Sequence, residues 1–344
     1  MPAAFSPAAG RTPKRKRARA SRRVPGLARK QLDCFISLEP KVLRGDDAEA
    51  IHDLRVASRR LQQILDLMYP KPRPQKIRKL RRTIRRSRRA LSTVRNCDVL
   101  LERVEKALHR RGLSHREVWD AFQDYLKDRR ATSFRKALRR LSGLNLPGFY
   151  LSLKNHLENS TKSPATFSAL SRDNHSSPGA ASGEPMGTRI EEALQETWSE
   201  LSGRVEQSRE DTSAPVLHAV RIAAKRVRYL IEVIHELGDA GSEQALACLR
   251  QLQQHLGDWH DLEVMEETLL GMASRPKFLQ RHLELALETG KMVLRNRRRK
   301  RLYEAKFFQM VKDSPEWTRL ASWVSAFLAA SSPASSAPRS HAPV

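Results

Sequence analysis

Seventeen residues beginning at Ile51, IHDLRVASRRLQQILDL, return as LHAVRIAAKRVRYLIEV beginning at Leu217. His52 pairs with His218, Arg55 with Arg221, Ala57 with Ala223, Arg59 with Lys225 and Arg60 with Arg226. A chain that repeats a helix with its charges in register is a duplication, and it must fold so that both copies are used. At about 100° per residue, His52, Arg55, Arg59 and Gln63 share one face, and Leu54, Ala57, Leu61, Ile64, Leu65 and Met68 lie opposite. The second copy reproduces this map. His218, Arg221, Lys225 and Tyr229 lie opposite Val220, Ala223, Val227, Leu230, Ile231 and Ile234.

A polar helix face ordinarily mixes signs, because Glu and Lys one turn apart support each other. These faces stack like charges at one-turn spacing, which costs stability unless an anion lies between them. Two such stripes opposite two apolar stripes therefore predict an anion site.

The charge of the whole chain agrees. Its net charge is +26 over 344 residues. The first thirty residues hold ten Lys/Arg and no acid, so the remainder still carries +16. A field of this sign attracts polyanions such as nucleic acid, polyphosphate or an acidic lipid surface. The three cysteines, Cys34, Cys97 and Cys248, form no metal or disulfide pattern. No apolar run is long enough to span a bilayer, and no signal-peptide core is visible at the N-terminus. The expectation is a soluble cytoplasmic protein without a cofactor or metal.

Composition divides the chain. Residues 1–23 read as a disordered basic arm, 159–188 as a flexible linker and 331–344 as a disordered tail. Two blocks remain, 24–158 and 189–330, with helix signals throughout and no period-two strand. Tyr69-Pro-Lys-Pro-Arg-Pro should end the first motif helix and Gly238 the second. Thr188 and Ser114 each precede a Glu at capping-box spacing, and Ser314-Pro315 should open the last helix. The expected fold is all-α, two pseudo-symmetric four-helix bundles with the motif helix second in each.

LSTVRNCDVL from Leu91 also aligns with LGDWHDLEVM from Leu256, matching Arg95 to His260, Asn96 to Asp261 and Asp98 to Glu263. The halves differ in charge. Twelve Lys/Arg lie between Lys71 and Arg95 with no acid among them, whereas the equivalent stretch of the second half has Arg250 as its one Lys/Arg. Arg78, Arg82, Arg85 and Arg89 share a helical face and are added to the candidate site, which is thereby weighted toward the first half.

HDLRVASRR and HAVRIAAKRVRYLIE, followed by RNCDVL and LGDWHDLEV, resemble the two halves of a CHAD domain, the α-helical family named for its histidine. The resemblance covers nearly everything from about residue 25 to 330. It implies paired helical bundles enclosing a basic cavity or groove, binding of inorganic polyphosphate, and association with polyphosphate granules. Its motif positions are His52, Arg55, Arg59 and Arg60 in the first copy. In the second they are His218, Arg221, Lys225, Arg226 and Arg228. Where relatives often carry another basic residue, this chain has Gln62. The ExExK strand of the triphosphatase domain fused to some relatives is missing, so a binding module rather than an enzyme is expected.

Two other readings compete. The basic arm and high isoelectric point suit nucleic acid, but aromatic residues are only 6% of the chain and do not interleave with the basic stripe. His52-Asp53 and His260-Asp261 suggest a metal-dependent phosphohydrolase, but the neighbours of His52 and His218 are cations, which repel a metal ion.

Overall fold

The computed structural model describes residues 13–110, 115–162, 185–312 and 314–330, and none of these residues lies in a strand. The first half holds α1 (Pro13–Arg44), α2 (Ala48–Met68), α3 (Gln75–Ala90), α4 (Ser92–Leu108), α5 (Arg116–Ser142) and α6 (Leu146–Lys162). The second half holds α7 (Met186–Glu210), α8 (Ala214–Glu236), α9 (Ser242–Ala273), α10 (Pro276–Arg281), α11 (Leu283–Lys312) and α12 (Pro315–Ala329). The fold is all-α. The motif helices are α2 and α8, each second in its half.

The halves follow one packing order. α1 packs on α2 as α7 packs on α8, α4 runs against α5 as α9 runs against α11, and α1 meets α6 as α7 meets α12. One difference breaks the parallel. The long α9 corresponds to two helices in the first half, α3 and α4, which are separated at Leu91.

Acid–base pins repeat as well. Asp98 on α4 accepts from Arg130 Nε on α5 at 2.5 Å, and its counterpart Glu263 on α9 accepts from Lys300 Nζ on α11 at 2.5 Å. Asp98 is buried and would be costly without its cation, and Glu263 is partly buried, so each pin helps fix the register of the helix that follows.

The apolar stripes read from the sequence are all inside. Leu54, Ala57, Leu61, Ile64, Leu65 and Met68 on α2 are at most 3% exposed, as are Val220, Ala223, Val227, Leu230, Ile231 and Ile234 on α8. They join one core that runs through both halves and includes Phe35 of α1 and Leu194 of α7. A smaller cluster, with Phe122, Leu126, Met265 and Leu269, lies where α4, α5, α9 and α11 meet. Tyr229 keeps its place on the basic stripe, near Arg88 and Arg221, but is buried there. Placed on the polar stripe, it is 5% exposed and carries the Arg228 guanidinium 4.8 Å from its ring centroid.

Most element ends follow the local chemistry. α2 stops at Met68 before the proline-rich turn, and Gly238 takes φ +98° just past α8. Ser314 caps α12 by accepting from Trp317 N at 3.1 Å, with Pro315 in the first turn. Thr188 is not a cap, because α7 already begins at Met186 after Pro185. Ser114 lies outside the described residues, as do 1–12, 163–184 and 331–344. The stretch read as a disordered arm is helical from Pro13 onward. Its Ala, Lys and Arg residues are good helix formers, and proline suits a first turn.

Gly45 ends α1 with φ +83°, and its carbonyl accepts from Arg130 Nη2 at 2.9 Å. A Cβ there would meet the Phe134 ring at 2.3 Å, whereas one at Gly203 on α7 would meet nothing within 4 Å. Gly45→Ala should therefore lower unfolding stability by about 2–3 kcal/mol through left-handed strain and overlap, while Gly203→Ala raises it by about 0.5–1 kcal/mol. Urea denaturation followed by circular dichroism measures both, and equal effects would contradict the assigned turn.

Candidate anion-binding site

With their apolar stripes in the shared core, α2 and α8 bring their basic stripes to bear on one space. α2 contributes His52, Arg55 and Arg59, and α8 contributes His218, Arg221 and Lys225. Arg59 acts electrostatically on Arg55 and Arg88 of its own half and on Arg221 and Lys225 of the other. The two motif copies thus form one cluster.

Three further residues complete it. Arg88 of α3 donates to Gln62 Oε1 at 3.0 Å, and Arg55 donates to the Arg88 carbonyl at 2.6 Å and to Ser92 Oγ at 3.0 Å. Gln62 therefore holds a cation that arrives from α3, at the position where the motif often has its own. Arg95 of α4 acts on His52 and Arg55. His260 of α9 lies 5.1 Å, centroid to centroid, from the His218 ring.

The titration of these groups reports how crowded they are. Burial, then Arg221, Arg59, Arg228 and Arg55, pushes the Lys225 amine down to about 6. Burial and then neighbouring arginines lower Arg55 and Arg88 to about 10, though a guanidinium there remains charged at neutral pH. His260 falls to about 3 through burial, then Arg221, His218 and Lys225. His52 and His218 are also lowered, mainly by burial.

Compensating acid is sparse. Asp261 faces Arg221 and Lys225, and burial raises its carboxyl against their pull. Arg59, Arg95, Arg221 and Lys225 have no hydrogen-bond or ion-pair partner among the described residues. Arg221 Nε is itself buried and unbonded. A buried donor without a partner costs about 1–3 kcal/mol. Cations without a carboxylate partner that converge from both halves are chemically suited to an anion with many oxygens.

Other expected residues are engaged elsewhere. Arg60 Nε and Arg228 Nη1 both donate to Glu232, each at 2.9 Å; the Arg60 bond clasps α2 to α8, and the Arg228 bond lies within α8. Arg226 donates to Glu200 Oε2 at 2.5 Å on α7. Arg78, Arg82, Arg85 and Arg89 are exposed along the outside of α3. Of these, Arg85 and Arg89 neighbour Arg88 closely enough to affect it. The inward arginines of α3 are Arg88 and Arg81, and Arg81 meets Asp66 at 2.6 Å.

The sequence did contain a signal for Arg88, because it continues the buried Ile77, Leu80 and Ile84 spacing. Arg95 and His260 occupy matched positions of the second motif pair. Ligand atoms of Glu49, His52 and Asp53 lie within 4.8 Å of one another, nearer than their offset around the helix suggested, with both acids exposed. Beyond burial, Arg95 and Arg59 lower the His52 imidazole while Glu49 and Asp53 raise it, so cations and carboxylates both stand close to the ring.

Comparison with known proteins agrees with this architecture. The crystal structure of the CHAD domain from the plant Ricinus communis is similar at TM-score 0.59 and 21% identity, covering 90% of this chain and 91% of that one. PptA from Streptomyces chartreusis is similar at TM-score 0.52 and 16% identity, covering 84% and 99%. No curated protein matches the sequence. The CHAD domain family model matches residues 26–270, which include both motif helices, and the chain belongs to the CHAD domain family.

Proposed function

We propose that this chain binds inorganic polyphosphate, without catalysis, in the cluster formed by His52, Arg55, Arg59, Arg88, Arg95, His218, Arg221, Lys225 and His260. Binding to long chains would carry the protein to polyphosphate granules. The observation that carries this reading is the convergence of unpaired, half-buried cations from both motif helices. Polyphosphate presents closely spaced anionic oxygens on a flexible strand that can follow such a cluster. A guanidinium donates two parallel hydrogen bonds to phosphate and keeps its charge. Each charged hydrogen bond contributes about 1.5–3 kcal/mol, so a few suffice to offset the repulsion of the empty site. The exposed Arg78, Arg82, Arg85 and Arg89 form an approach for a long anion rather than its principal seat.

Nucleic acid offers the same phosphates, and the outer face of α3 would accept them. The two ligands separate in a competition between long-chain polyphosphate and DNA at matched charge concentration and physiological salt. Polyphosphate should displace DNA, and the reverse order would transfer the site to nucleic acid. Arg59→Glu combined with Lys225→Glu should lower polyphosphate affinity at least about 100-fold, the equivalent of two charged contacts, with helical content unchanged. Unaltered affinity would place the site elsewhere.

Lys225 gives the pH dependence its sign. Folding lowers its amine from 10.5 to about 6, so between these values the unfolded chain binds a proton that the folded chain does not. Stability of the empty protein from this group therefore rises with pH across that window. Lys225→Met should be more stable than wild type near pH 7 by about 1 kcal/mol or more, roughly 2–4 °C in Tm, and the difference should close toward pH 10. A bound anion restores the charged amine, so polyphosphate affinity should weaken as pH rises from 6 to 9. Lys225→Arg should flatten that fall. Titration calorimetry across this range reads both effects.

A further inference from the structure

α11 turns Thr289, Met292, Val293, Asn296, Phe307 and Val311 inward. Its opposite face is not the polar surface that such burial leads one to expect. Leu283, Leu287 and Leu294 are 61%, 64% and 58% exposed, and Leu302 further along is 71% exposed. At about 100° per residue the first three fall within roughly 40° of one line. Gly290 lies beside that line, and a Cβ there would meet nothing within 4 Å. Leu279 of α10 and Leu270 at the end of α9 are also exposed, at 40% and 44%. Exposed leucines aligned along one helix face in this way mark a contact site.

The leucines sit among cations. Residues 277–302 contain nine Lys/Arg and two Glu, a net +7. Arg297 is paired with Glu266 and Lys300 with Glu263 and Glu266, whereas Arg298, Arg299 and Arg301 are exposed and have no carboxylate partner among the described residues. Leu283 to Leu302 spans about 28 Å of helix. The occupant of this face must therefore be both apolar and negative over that length.

We infer that the outer face of α11, with α10, docks on an anionic lipid surface. Polyphosphate or nucleic acid would meet the arginines and leave the leucines in water. A second copy would cover the leucines and set one net +7 segment against another. An anionic bilayer offers phosphate headgroups to the arginines and an acyl boundary to the leucines, and it moulds to a helical ridge without a matching groove. Long arginine side chains reach outward to the headgroups while their stems lie along apolar surface. No described helix is long and apolar enough to cross a membrane, so the contact is superficial. The surface also lies beyond residue 270, where the family match ends, and it does not depend on the polyphosphate reading.

The test is flotation of the full chain with vesicles of equal parts phosphatidylglycerol and phosphatidylcholine, against phosphatidylcholine alone, at physiological salt. The mixed vesicles should carry the protein. Leu283→Gln, Leu287→Gln and Leu294→Gln together should reduce partitioning at least about tenfold. Because these side chains are exposed, helical content and polyphosphate affinity should stay as in wild type. Equal partitioning of variant and wild type would reduce the effect to charge alone and overturn the proposal. So would absence of wild-type binding to the mixed vesicles. A wild-type dimer that the triple variant dissolves, with no vesicle binding, would assign the face to a second copy instead.

Discussion

Repulsion among like charges is the constraint around which this protein is arranged. Burial and then neighbouring cations, Arg59 among them, lower the affinity of Arg55, Arg221 and Lys225 for protons, with Asp261 as the carboxylate facing Arg221 and Lys225. Left to themselves, these side chains would drive α2 and α8 apart. The opposite faces of the same helices prevent it. Each buries six or more apolar residues in a core shared by both halves, and each fully buried large aliphatic side chain contributes about 1.5–3 kcal/mol. The core term exceeds the repulsion, so the fold stores an unfavourable arrangement that a ligand can relieve.

The duplication supplies the means. Two copies of one helix, each apolar behind and basic in front, place two donor stripes on one space when their backs share a core. Glu232 strengthens the arrangement by accepting from Arg60 of one copy and Arg228 of the other. Divergence then made the copies unequal. The first half breaks its third long helix at Leu91 and sends in Arg88 and Arg95 from the two pieces. The second half keeps α9 continuous and presents His260 where the first half has Arg95. The first half sends four arginines, Arg55, Arg59, Arg88 and Arg95, beside His52, while the second sends Arg221 with Lys225, His218 and His260, whose charge depends on pH and ligand.

What could be read in the sequence was whatever a single helix determines. The periodicity of α2 and α8 fixed their core and donor faces, and the prolines and Gly238 fixed their ends. Tyr229 lies on the stripe as read, near Arg88 and Arg221, but its burial comes from neighbours that one helix cannot reveal, with Arg228 lying over the ring. The α3 arginines show the same limit more sharply. Arg78, Arg82, Arg85 and Arg89 do share a face, but it is the outer one, and only the packing of Ile77, Leu80 and Ile84 decides that Arg88 turns inward. Arg60, Arg226 and Arg228 matched a motif, yet their partners Glu232 and Glu200 come from distant sequence or from a shared turn. Motif matching named them as ligand donors, and each of them is also paired with a carboxylate.

In a chain with net charge +26, then, basic residues alone cannot identify a site. Arg130, Arg81, Arg73 and Lys300 are as basic as the residues of the central cluster, but each meets a carboxylate and serves to hold helices in place. Specificity lies in where the carboxylates are withheld. At the meeting of α2, α3, α4, α8 and α9 the chain supplies donors and leaves most of the acceptors to come from outside. In the proposed complex, phosphate oxygens would complete there what Asp98, Asp66 and Glu232 complete elsewhere. Under the proposed function the ligand would be the missing acidic partner of this cluster, and its binding would relieve the like-charge repulsion that the core imposes behind the two motif helices.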